Sequence, residues 1–167
     1  MKLPWISFAV LMITLTACST QEEPLPEAVC PDEGTCSFEF SPNSRLAVFE
    51  VNGKTQISGI ETGENHVFRY TYQFNDNPNI ADDEYMEEVL LEIPEQSGAF
   101  DYSDADLAAL PVYFRRVCFC PSVEWASITG GRVVGEPVSG GGWDVSVEIS
   151  FELLGVTETR TFRGVFE

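Results

Sequence analysis

The sequence predicts an all-β domain, an antiparallel β-sandwich or a partly closed barrel with one short helix. Three observations carry this expectation. Apolar and polar residues alternate with a period of two over 68–74 and 143–153, the spacing that puts every second side chain on one face of a strand. Asn52-Gly53 divides two apolar runs, and that dipeptide suits the positive φ angles of a two-residue hairpin turn. The remaining segments are short and punctuated by Gly, Asn, Pro and Asp, as in proteins built of about eight to ten strands.

Taken in order, the runs 46–51 and 55–60 pair across Asn52-Gly53. Phe68, Tyr70, Tyr72 and Phe74 then place four rings on one face, with Arg69, Thr71 and Gln73 on the other. A core face is the expected use of such a row, and an exposed platform for stacking sugars is the alternative. The helix is brief: Ser103 caps it, Asp104 and Asp106 lie in its positive first turn, Leu107 and Leu110 face inward and Pro111 ends it. Residues 113–117 and 126–134 read as further strands, the latter followed by a glycine-rich loop over 135–142. The clearest strand is 143–153, where Trp143, Val145, Val147, Ile149, Phe151 and Leu153 oppose Asp144, Ser146, Glu148, Ser150 and Glu152. One side is buried and one wet. A turn around 155–158 returns the chain through 159–166 and closes the sheet.

The organisation ahead of this domain is that of an exported protein. Lys2, an apolar run over 6–13 and small residues before Cys18 form the layout of an export signal. Pro4 and Thr14 to Thr16 leave the run shorter than the about 20 residues a membrane span requires. Leu15-Thr16-Ala17-Cys18 resembles the lipobox of bacterial lipoproteins. The resemblance implies cleavage before Cys18 and acylation of its sulfur and amine. Two or three acyl chains, at about 0.8 kcal/mol per buried methylene, make a lasting anchor. Residues 1–17 are thus the signal peptide and 18–29 an acidic, proline-bearing tether, with a single β domain over 30–167. Gln21-Glu22-Glu23 resembles the acidic export signal of bacteroidete surface lipoproteins, and Ser19 lacks the acidic side chain of inner-membrane retention. The resemblance implies an outer-membrane location, with the periplasmic and surface faces both open.

About 150 residues remain after cleavage, enough for one core burying roughly two thirds of the unfolded surface. Losing Lys2 leaves eight Lys and Arg against 27 Asp and Glu, one charge more negative than the −18 of the whole chain. Such a balance excludes a nucleic-acid partner and holds the domain off anionic head groups. Its contact with the membrane is then the anchor alone.

Four further cysteines, Cys30, Cys36, Cys118 and Cys120, fit an oxidising compartment. Cys118 and Cys120 share one strand face at a distance of about 6.6 Å, which disfavours bonding them to each other. Cross-pairing of Cys30 and Cys36 with Cys118 and Cys120 is the expectation. Local pairing of Cys30 with Cys36 is one alternative and a four-thiolate zinc site another, though Cys-x5-Cys and Cys-x-Cys fit zinc poorly.

Catalytic signatures are sparse. His66 is the only histidine, has no nucleophile motif near it, and reads as a surface or strand-end residue. Neither Gly130-Gly131-Arg132 nor the glycines of 140–142 have the lysine and following helix of a phosphate loop. The segment 75–84 offers oxygen ligands, with Asp76, Asp82, Asp83 and Glu84 as calcium candidates. It is not an EF-hand, because Ile80 stands where glycine is needed and Met86 where the bidentate glutamate belongs. A solvated acidic loop is the alternative.

Residues 30–167 resemble bacteroidete-type envelope lipoproteins of unknown function, through Cys118-Phe119-Cys120-Pro121 and the run from Gly131 to Trp143 with Phe166. That resemblance names no activity; the lipobox, the tether and the absent catalytic signature make the expected function a non-enzymatic, lipid-anchored envelope domain that binds or supports another envelope protein or a glycan, with no cofactor. A calcium-dependent binding module and a carboxylate-based carbohydrate hydrolase are the competing readings, the latter requiring two facing acids in an aromatic pocket.

Overall fold

The computed structural model describes residues 28–75, 84–119 and 124–167. Cys18, the signal peptide, most of the tether, Cys120 and the calcium candidates Asp76, Asp82 and Asp83 lie outside them. The described residues form nine strands and one helix: β1 (Gly34–Val51), β2 (Lys54–Thr62), β3 (Asn65–Phe74), β4 (Tyr85–Pro94), β5 (Phe100–Ser103), α1 (Asp104–Ala108), β6 (Val112–Cys118), β7 (Ala126–Pro137), β8 (Trp143–Leu153) and β9 (Val156–Phe166). All pairings are antiparallel, in the order β2-β1-β3-β4-β6-β7-β8-β9, with β5 on the flank of β7. The all-β expectation holds.

The sheet folds over on itself without closing. β1 is long enough to serve two neighbours, pairing with β3 from Gly34 to Ser44 and with β2 from Ser44 to Val51, and its register shifts between Ser41 and Ser44. β6 and β7 share only Tyr113↔Ser127 and Phe114↔Ala126, so the chain turns a corner there into the β7-β8-β9 layer. The far edge, β9, comes back against β1: the Phe40 amide donates to the Glu167 carbonyl at 2.9 Å and the Val29 amide to the Arg163 carbonyl at 2.8 Å. Gly164 makes this seam tight, since a Cβ there would lie 2.4 Å from the Phe38 ring.

Two hairpins turn on residues with positive φ, Asn52 (53°) and Gly53 (74°) between β1 and β2, and Leu154 (54°) and Gly155 (77°) between β8 and β9. The second strand pair therefore resumes at Val156, earlier than the expected 159, and β7 runs on to Pro137 through part of the expected loop. Ser103 stands at the N-cap of α1 without a side-chain cap hydrogen bond, while Leu107 is fully buried beneath the helix.

The expected cross-pairing of cysteines is corrected. Cys30 is bonded to Cys36, with the Cα atoms 5.9 Å apart, and Cys118 is also disulfide-bonded. The local bond has a simple cause: the Gly34 amide donates to the Pro31 carbonyl at 3.3 Å, a turn that folds Cys30 back beside β1. Closing so short a loop contributes about 2 kcal/mol.

The core lies between the layers. Phe68, Tyr70 and Tyr72 of β3 face Val145, Val147, Ile149 and Phe151 of β8 and Phe162 and Phe166 of β9, so the aromatic row is core, as expected. A smaller cluster of Leu46, Val67, Leu90 and Trp125 lies apart from it, packed against Ile57, Ile60 and Tyr113.

Candidate functional site

The two ends of the interior are built from different chemistry. At the end where β8 begins, Phe40, His66, Phe68, Phe100, Trp143 and Phe166 form an aromatic plug with ring centroids 5.1 to 6.4 Å apart. His66 stands at the start of β3, as expected of a strand-end residue, but it is not on the surface: it is 8% exposed and packs between Phe40 and Trp143. Its Nε2 is 3.4 Å from the Gln96 carbonyl.

The opposite end, where β3 finishes and β4 starts, carries charge inside. Glu87 is 6% exposed because it lies on the core face of β4, in line with Val89, Leu91 and Ile93. Arg160 of β9 reaches across the layers to it, donating from Nε at 2.8 and 2.9 Å and from Nη2 at 2.7 Å. The Tyr85 hydroxyl also donates to Glu87. Arg116 of β6 donates to the Tyr85 hydroxyl at 3.0 Å and to Glu158 at 2.6 Å, and Glu158 accepts a further bond from Arg160 at 2.9 Å. Two guanidinium groups and two carboxylates thus cancel within one network. Aromatic rings sandwich it: the Arg160 guanidinium lies 5.5 Å from the Phe114 centroid and 5.8 Å from that of Phe151, and Arg116 lies 5.7 Å from that of Tyr85.

The protonation states follow from these contacts. Burial opposes charge on Glu158, but hydrogen bonds from Arg116 and Arg160 hold its carboxyl below the usual range. Hydrogen bonding to Glu87 holds the Arg160 guanidinium above its ordinary value, against burial. Tyr85 is raised by burial first, then by its hydrogen bond to Glu87 and that carboxylate's charge.

Above this network opens a recess of about 390 Å³ walled by Tyr72, Phe74 and Tyr85, with Glu33 at its rim. The Tyr72 and Tyr85 rings meet edge to face, 6.4 Å between centroids and 70° between planes. Strand register builds it: Tyr72 and Phe74 are successive core-face residues of β3, and Tyr85 opens β4. Glu33 belongs to the turn that the Cys30–Cys36 bond fastens, and the Asn75 amide donates to its carbonyl at 3.0 Å. Gly34 is required next to it, because a Cβ there would lie 2.3 Å from the Tyr72 ring. Desolvation, then the charges of Glu33 and Glu87, raise the Tyr72 hydroxyl pKa.

A second, more polar recess of about 480 Å³ is lined by Arg45, Thr62, Gly63, Glu64, Asn65 and Glu92. Glu92, 9% exposed, is occupied there as a structural acceptor, taking the Leu46 amide at 2.7 Å and the Asn65 side chain at 2.5 Å. It satisfies a backbone donor where β1 changes partners.

Of the residues expected to carry chemistry, Glu84 is exposed just before β4. Among the described residues no three His, Cys, Asp or Glu side chains group to hold a metal, and no helix is long and apolar enough to cross a membrane. The structure joins Cys30 to Cys36 at the recess end and brings neither to Cys118. Sequence reasoning missed Glu87, Arg116, Glu158 and Arg160. A signal was present in the doublets Glu87-Glu88 and Arg115-Arg116: neighbours in a strand face opposite ways, so where the two strands pair, each face receives one acid and one base. The register sets Glu87 opposite Arg116 and Glu88 opposite Arg115.

Comparison with protein families, curated proteins and solved structures finds no match.

Proposed function

We propose that this chain is a lipid-anchored, non-enzymatic binding module of the bacterial outer membrane, held by acylated Cys18 and taking its ligand at the recess of Tyr72, Phe74, Tyr85 and Glu33. The lipobox-like run and the acidic tether support the anchoring half of this reading. The recess carries the binding half. Its volume falls in the roughly 300 to 1,000 Å³ range of small-molecule sites, and mostly aromatic walls with one polar group are the usual composition of such sites.

Binding is favoured over glycoside hydrolysis by the state of the buried acids. Hydrolysis asks for a carboxylic acid that keeps its proton and a second carboxylate free to act. Glu158 is instead held below the usual range by Arg116 and Arg160, and both oxygens of Glu87 accept hydrogen bonds from Arg160. Glu87 directly, and Glu158 through Arg116, hold the Tyr85 wall of the recess in place.

A photocrosslinking residue introduced at Asp32, exposed in the turn beside Glu33, and, separately, at the exposed Asp106 on α1 tests this in intact envelopes. The proposal expects a discrete adduct from position 32 and none from position 106. Equal labelling from both positions, or none from position 32, rejects the recess as the site. Fatty-acid labelling that survives Cys18→Ser rejects the anchor.

A further inference from the structure

We propose that the recess is an organic-cation site, in which Tyr72, Phe74 and Tyr85 form an aromatic cage closed by Glu33 around the methylated ammonium group of a small soluble ligand. The inference rests on the reading of this recess as the ligand site and specifies its ligand class. Three features select a cation. Two tyrosine rings set at 70° make a corner, with Phe74 as a further wall; such a corner surrounds a compact, rounded group, whereas a sugar ring stacks on a flat platform. Ring faces carry the negative part of the aromatic quadrupole and attract ammonium groups, and this end already holds its own cations that way, with Arg116 over Tyr85 and Arg160 over Phe114.

The charge balance points the same way. Arg116 and Arg160 are matched by Glu87 and Glu158 within the network, so Glu33 adds a net negative charge at the rim. Its field, with that of Glu87, reaches the Tyr72 hydroxyl and contributes to that group's raised pKa. At longer range the −18 of the chain concentrates cations around the domain and repels anionic ligands. The methyl groups of a quaternary ammonium shed water readily against the rings, while Glu33 stays hydrated at the rim, where an unpaired carboxylate is tolerated.

Calorimetric titration of the full acylated chain in a polyoxyethylene detergent at low ionic strength tests this, with choline and with its uncharged isostere 3,3-dimethylbutan-1-ol. Choline is expected to bind saturably and the isostere about tenfold more weakly, with a similar loss of choline affinity in Glu33→Gln and in Phe74→Leu. Melting curves establish that both variants are folded, and Glu33 is exposed. Equal affinity for choline and its isostere, no heat with choline, or choline binding unchanged in both variants overturns the proposal. Such a failure, with position 32 still giving a specific envelope adduct, removes the cation and leaves the binding site standing. Loss of the adduct as well removes both.

Discussion

The aromatic plug and the ionic network occupy opposite ends of one interior and stabilise it in opposite ways. Around Phe68, Phe100, Trp143 and Phe166, burial alone is favourable, at about 25 cal/mol per Å² of apolar surface, and edge-to-face contacts add to it. Around Glu87 and Arg160, desolvation of four charged groups offsets most of the attraction between them, and a well-packed apolar replacement commonly does as well or better. Stability by itself would fill both ends with Phe and Leu. The ionic end keeps its charges beside the aromatic recess of Tyr72, Phe74 and Tyr85 and orients Tyr85 through two of them. The contrast teaches that the plug holds the sheet together and the network shapes a site.

Substitutions that treat the two ends differently sharpen or break this contrast. The largest effect is expected for Arg160→Met, which leaves Glu87 buried without its main partner and should lower unfolding free energy by about 3 to 5 kcal/mol in urea titration. Adding Glu87→Leu should restore most of that loss. If the double variant is as unstable as the single one, the network is a net stabiliser and the contrast fails. Next, Gly34→Ala forces a methyl group into the Tyr72 ring and should cost about 1 to 3 kcal/mol, read as a lower melting temperature. A smaller loss, about 2 kcal/mol or less, is expected on replacing both Cys30 and Cys36 by Ala, because the loop they close is only six residues along the chain.

The smallest effect concerns pH. Glu158 is held below its ordinary 4.5 in the folded state, so its charge contributes stability above that value and the contribution fades as pH falls through the lowered one. The stability difference between wild type and Glu158→Gln should therefore be widest near neutrality and narrow below about pH 4. A difference that grows on acidification contradicts the assignment.

How much of this was readable beforehand follows from how many faces of each strand are buried. β8 alternates cleanly because one side of it meets water, and its six apolar residues mark their face without ambiguity. The β1–β2 turn was equally plain, since Asn52-Gly53 supplies the two positive φ angles. β4 was not visible as a strand: it is central, buried on both faces from Glu87 to Ile93, and so shows no alternation. The first half of β1 escaped because its core-face residues, Cys36, Phe38 and Phe40, are spaced by Ser and Glu and followed by Pro42. The recess was half legible. Tyr72 and Phe74 lie in the aromatic row of 68–74, but nothing in the sequence joins Glu87, Arg116, Glu158 and Arg160, and only the pairing of β4 with β6 and the approach of β9 show them matched. The cysteine pairing depended on a turn at Pro31 to Gly34 that spacing alone does not disclose.

The most direct test of the division between the two ends is choline affinity in the Arg160→Met, Glu87→Leu double variant. With the apolar replacement in place the domain should remain folded with near-native stability while its choline affinity falls several-fold, because Tyr85 has lost the carboxylate that orients it. Native affinity in that stable variant would contradict the account, since the buried charges would then have no part in shaping the recess.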